Sequence, residues 1–288
     1  MPDPGPMVAH FADGSRLHLQ HGPIDLIVEC DGAAEQCSAA RQAAIDRFDG
    51  LLEELVDELA FLRAPLEPGR QRRPVGATAR RMVDAASPHA RDEIVTPRVA
   101  VAGAVADEVA AAMASAAELD RWMVNNGGDI AFGLTTGQSY RIGLVVDPRR
   151  PEVESPAVVD ACSRIRGVAT SGRHGRSLSL GIADAVTVFA PTAADADAAA
   201  TLIANAVDIG PHPAITRQIA SDLDPDSDLG ERMVTVGVGV LTTDEIHHAL
   251  RNGLAYAKRF VERGHISGAV LYLAGTRTST TTSPTLLS

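Results

Sequence analysis

The chain has 288 residues, 45% hydrophobic and 22% charged, a globular composition with enough apolar material for a sizeable core. Its formal net charge of −11 works against phosphate backbones, and its one basic run (Arg70, Arg72, Arg73, Arg80, Arg81) reads as a solvated loop and helix start, which argues against nucleic-acid binding. Three cysteines, Cys30, Cys37 and Cys162, with no CxxC pair, argue against a disulfide framework or structural zinc and suit a reducing, cytoplasmic compartment.

Residues 7–30 read as two or three strands, with Arg16 to Gln20 alternating and Ile24 to Val28 running apolar after the His21-Gly22-Pro23 turn. From Ala33 to about Arg63, Ile45, Phe48, Leu52, Leu55, Leu59 and Leu62 recur at helical spacing and predict one long amphipathic helix. Residues 64–76 read as a loop, 77–86 as a short helix and 98–117 as a helix rich in small residues around Gly103. Strands are expected near 121–124, 129–134, 140–146, 167–171 and 184–190. Helices are expected over 193–207 and near 213–222.

Residues 222–228 carry four aspartates but lack the glycine and terminal glutamate of a calcium loop, so they read as a solvated acidic loop. Met233 to Leu241 reads as a strand, and Thr242 with Glu245 forms a capping box for a helix ending near Gly264. Ile266 to Leu273 is a last strand. The Thr/Ser-rich tail 276–288 reads as disordered. One domain over 1–275 is the simplest organisation. The N-terminus has neither a basic run nor an apolar core, so no signal peptide is expected. No stretch reads as the ~20 apolar residues of a membrane helix.

Three constellations could carry chemistry. Asn125-Asn126-Gly127-Gly128-Asp129 lies between two strands, and its residues suit either a hairpin turn or a loop whose bare amides cradle a ligand. Thr170-Ser171-Gly172, with Arg173, His174, Gly175, Arg176, Ser177 and Ser179 after it, is either a polar surface loop or a phosphate-binding stretch of hydroxyls, amides and guanidinium forks. His174 reads there as a solvent-exposed loop histidine. Asp197 and Thr201, one helical turn apart, could offer two hard oxygen ligands to magnesium, although Asp195 and Asp197 also suit a helix N-terminus without any metal. His247-His248 cannot share a zinc in HExxH fashion, and no nucleophile elbow, Walker loop or dinucleotide fingerprint is present.

The ordered motifs Asn125 to Ile130, Thr170 to Gly172 and Ala196 to Thr201 resemble the ApbE family of FAD:protein FMN transferases. The segments 22–26, 124–131 and 175–188 resemble a short cytoplasmic branch of that superfamily, and the similarity spans about residues 15–275. The resemblance implies an α/β (α+β) fold of antiparallel or mixed sheets packed with long helices. It implies FAD as the bound dinucleotide and Mg2+ as the ion. Asp197 and Thr201 would hold the metal. Asn125, Asn126, Gly127, Gly128 and Asp129 would contact the flavin nucleotide, and Thr170, Ser171, Gly172, Ser177 and Ser179 the pyrophosphate region. Asp197 and Arg176 would be the catalytic groups. Two features of the transferases are missing: a His-x-x-Asp-Pro segment after the Thr-Ser-Gly turn, and a lysine where Val101-Ala102-Gly103 stands. The expected partners are a flavin nucleotide and an acceptor protein, with small-residue helix faces that allow a homodimer, and neither nucleic acid nor membrane. The alternatives are a non-catalytic flavin carrier and an enzyme acting on another nucleotide-like substrate.

Overall fold

A computed structural model describes residues 5–12, 14–67, 69, 73–147, 150–175 and 177–280. Strands β1 (Met7–His10), β2 (Arg16–His21) and β3 (Ile24–Asp31) form a meander at one edge of the main sheet. In β2 and β3 alternate residues are buried, so Leu17, Leu19, Leu26 and Val28 face the core, as period-two patterning requires. The segment expected to be one long helix is three: α1 (Ala34–Phe48), α2 (Leu51–Asp57) and α3 (Leu59–Leu62). Gly50 breaks it, taking a left-handed conformation at φ 75° that sends the chain off in a new direction.

After α4 (Ala77–Ala86), a 3-10 turn at Pro97–Ala100 runs into α5 (Val101–Ala116). Together Pro97–Ala116 is long and apolar enough to cross a membrane, which corrects the sequence expectation that no such stretch exists. In this fold the apolarity serves the core: Ala104, Val105, Val109 and Met113 are fully buried, and α5 packs on α1 and on α6 (Ala193–Ala206).

Strands β4 (Arg121–Asn126) and β5 (Asp129–Leu134) form a tight hairpin. They lead to a second hairpin, β6 (Ser139–Asp147) and β7 (Arg150–Asp160); β7 lies beyond the strands expected from sequence. The main sheet continues with β8 (Gly167–Ser171), β9 (Ala185–Ala190), β12 (Gly268–Leu273) and β13 (Thr276–Ser279). Its order is β1-β2-β3-β4-β5-β8-β9-β12-β13, and every pairing is antiparallel. The start of the expected disordered tail is therefore an edge strand.

Around β9 and β12 the sheet is covered on both faces. Val186, Val188, Ala269 and Leu271 pack with α6 and α8 (Thr243–Glu262). Phe189, Val270 and Tyr272 pack with Leu144, Ala157 and Val159 of the β6–β7 hairpin. This double burial explains why β9 and β12 are buried at every position rather than alternating, with Thr187 the one polar side chain of β9. A two-stranded ribbon, β10 (Ile215–Ile219) and β11 (Met233–Val238), stands where the sequence suggested a helix near 213–222, of which only α7 (Ala220–Leu223) is helical. The Thr235 amide bonds the Ser179 carbonyl, and the Arg217 guanidinium bonds that of Leu180, tying the ribbon to the segment after β8.

Candidate functional site

The turn between β4 and β5 has Gly127 and Gly128 at φ 65° and 111°, which explains two adjacent glycines. The Asn125 side chain accepts from the Gly128 amide at 2.8 Å and locks the turn. Asn126 is buried and donates to the Ala102 carbonyl of α5 at 3.1 Å, fastening the hairpin to the helix. Both asparagines thus have structural partners, and the hairpin's effect is to present Asp129 at the foot of β5.

Helix α5 supplies the next piece. Its first amides have no partner within the helix. The Asp197 carboxylate accepts from two of them, Gly103 (3.0 Å) and Ala102. The approach is close: a Cβ on Gly103 would lie 2.2 Å from the Ala193 carbonyl oxygen, so only glycine lets α5 meet the start of α6 at this spacing. Asp107, one turn further along α5, accepts from the Ala193 and Ala194 amides at 3.0 and 2.8 Å. Each helix thereby satisfies the other's N-terminal donors.

Asp129 and Asp197 come together here from stretches nearly seventy positions apart. Both are enclosed by protein except toward a shared cavity. Burial, followed by the charge of Asp197, pushes the Asp129 carboxyl well above the usual carboxylate range, against the lowering effect of a bond from the Thr170 amide. Burial raises Asp197 to about 7; the amides of Gly103 and Ala102 oppose that shift, and Asp107 adds to it. Asp107 itself is raised to about 6, chiefly by burial.

The cavity measures about 800 Å3, within the range of small-molecule sites. Four residues singled out from sequence line it: Asp129, Ser177, Asp197 and Thr201. Thr201 lies one turn after Asp197 on α6, so two carboxylates and a hydroxyl form a set of hard oxygen donors. A carboxylate offers about four lone-pair directions, so Asp197 can cap α5 and still donate to a cation. The remaining expected residues take supporting places. Thr170 pairs with Thr187 across β8 and β9 at 2.8 Å, Ser171 pairs with Val186, and Gly172 packs against the Asp184 carbonyl. Ser179 is buried, with its hydroxyl on the Gly181 carbonyl at 3.3 Å. Arg176 lies outside the described residues. His174, read from sequence as solvent-exposed, has a side chain only 14% exposed, 3.4 Å from Asp184. Asp184 also receives Arg173 and the Ala274 amide, so it organises the loop after Gly172.

Sequence reasoning missed the other walls. Thr96, Arg98 and Val99 line the cavity just ahead of α5, Asn205 and Arg217 line a second side, and Ser227 and Asp228 of the acidic loop a third. A second cavity of about 1170 Å3, between α4 and the end of α8, holds none of the expected site residues.

The architecture is thus that of an α+β protein, a nine-stranded antiparallel sheet with helices on one face and an oxygen-lined cavity where α5 meets α6. The chain belongs to the ApbE-like family described as AbpE bacteria, which matches residues 8–279. It is 34% identical over 214 residues to the UPF0280 protein of Methanopyrus kandleri, covering 74% of this chain and 83% of that one. A UPF0280 protein of Methanosarcina barkeri is 32% identical over 204 residues, covering 67% and 73%. Among solved structures it is similar to a mutant of the flavin transferase ApbE from Vibrio cholerae (TM-score 0.47, 16% identity, 94% of this chain and 98% of that one). The apo flavinyl transferase ApbE of Pseudomonas stutzeri gives a TM-score of 0.44 at 15% identity, covering 95% and 92%.

Proposed function

We propose that the cavity binds a flavin dinucleotide and cleaves its pyrophosphate, passing the FMN part to an acceptor hydroxyl and releasing AMP. The observation that carries this reading is the convergence of Asp129, Asp197 and Thr201 on one cavity, with the two carboxylates close enough for one to raise the proton affinity of the other. Two half-buried carboxylates facing one cavity without a counter-cation repel each other, and a bound divalent ion relieves that cost. The donor set fits magnesium: Asp129, Asp197 and Thr201 would hold it, and it would neutralise charge that builds on the phosphoanhydride. The chain's own residues do the rest. The α5 amides fix the Asp197 carboxylate, the Thr170 amide fixes that of Asp129, and Ser177 offers a hydroxyl to the phosphates. Family membership supports the flavin class of ligand. Three free thiols, one of them the exposed Cys162, fit a cytoplasmic setting.

Incubation with FAD and magnesium, followed by chromatography, tests the reading. Release of AMP, with FMN free or on an added acceptor protein, is expected from the native chain. Asp129→Asn and Asp197→Asn should each lower the rate at least ~100-fold, since each removes a charged donor from the reacting centre. Binding of FAD without AMP release would favour a carrier. Neither binding nor turnover would retire flavin as the ligand.

A further inference from the structure

The loop between α7 and β11 reaches across to the cavity wall just ahead of α5. Asp228 lies 3.3 Å from the Arg98 guanidinium and accepts from the Thr96 hydroxyl at 2.5 Å. Arg98 also donates to the Asp226 carbonyl at 3.5 Å, and the Asp226 carboxylate lies 3.5 Å from Arg63. These four contacts join the loop to Arg63 and to the segment just ahead of α5, while the Asp224 amide, on the Ala220 carbonyl, ties its start to α7. Within itself the loop is folded by its own bonds: the Asp226 amide to the Asp224 carboxylate, the Ser227 amide to the Asp224 carbonyl, and the Leu229 amide to the Ser227 hydroxyl. It is a preformed turn held to the rest of the protein by a clasp.

The clasp has the chemistry of a ligand contact. A guanidinium and a hydroxyl converge on one anionic oxygen pair, the donor set that recognises phosphate. Arg98, Thr96 and Asp228 all line the cavity, and the side chains of Arg98 and Asp228 are only 32% and 19% exposed. Arg98 stands four and five positions before the Ala102 and Gly103 amides that hold Asp197. Arg98 and Asp197 line the same cavity, so a ligand seated there faces both. The contact also spans 130 positions of sequence, so no local turn preference accounts for it.

We propose that Arg98, with Thr96, binds a phosphate group of the cavity's ligand, and that Asp228 is an internal stand-in for that phosphate, so that the 224–229 loop competes with the ligand and opens when it binds. The ligand class is a nucleotide or other phosphate ester; its flavin identity rests on the function proposed above, the clasp on the contacts themselves. Competition of this kind lowers apparent affinity by the fraction of time the loop occupies the cation.

ADP titrated against the protein at fixed magnesium is the test, with FAD titrated in parallel. Asp228→Asn frees Arg98 and should tighten ADP about five- to tenfold, whereas Arg98→Gln should weaken it at least tenfold. In the native protein, saturating ADP should speed amide hydrogen exchange over residues 224–229, a measurement that needs no variant. Unchanged or weaker ADP binding in a folded Asp228→Asn protein, slower exchange in that loop, or no ADP binding by any form overturns the proposal. ADP responding as described while FAD fails to bind would uphold the clasp and sink only the flavin assignment.

Discussion

His89 is 3% exposed, its ring 4.4 Å from that of Phe260 and edge-on to His265 at 5.5 Å. Burial, then the neighbouring His265 and Arg263, lowers its pKa from 6.5 to about 4. The folded protein therefore keeps this imidazole neutral where the unfolded chain takes up a proton. Its contribution is complete above about pH 6.5 and is lost as pH falls toward 4, by about 3 kcal/mol in all. His89→Phe, which keeps a ring against Phe260, should flatten the urea-unfolding stability over that window. An unchanged slope would assign the acid sensitivity elsewhere. Asp197 shows at the same scale why single residues are hard to read from sequence. As an acid in the first turns of a helix it looks like a response to its own helix dipole, yet the amides it accepts belong to α5. Asp129 was legible as part of a glycine turn, but not as a partner of Asp197, because nothing in the local pattern points across nearly seventy positions.

Among the elements, helix α5 carries the most consequence. Its apolar run was plain in the sequence, and the small residues near its start fit the close approach to α6. Gly103→Ala would put a methyl group 2.2 Å from a backbone oxygen that cannot rotate away. It should destabilise by about 1–3 kcal/mol or more and loosen the seat of Asp197. Urea denaturation checks this, and an unchanged midpoint would mean that the helices can separate freely. The capping box at Thr242 and Glu245 starts α8 as the residues suggested, because capping is decided within four positions. The single helix expected over 33–63 failed for the opposite reason: the apolar period runs through Gly50, but one left-handed residue ends α1 without disturbing it. The β10–β11 ribbon was misread near 213–222 because its strand pairing draws on residues 233–238, beyond any local window.

At the scale of the whole molecule, the sheet order brings the site together. β5 pairs with β8 and β8 with β9, so the glycine hairpin, the Thr170 turn and the strand leading into α6 lie side by side. The motifs were visible one by one; their meeting is a property of the antiparallel topology. The Arg98–Asp228 clasp was not visible at all, since its partners read separately as a helix start and a solvated acidic loop. A crystal grown with FAD and with manganese in place of magnesium tests the central claim most directly. An anomalous peak among Asp129, Asp197 and Thr201, touching the dinucleotide's phosphates, is the result the account predicts. Manganese bound elsewhere, or FAD seated in the cavity between α4 and α8, would contradict it.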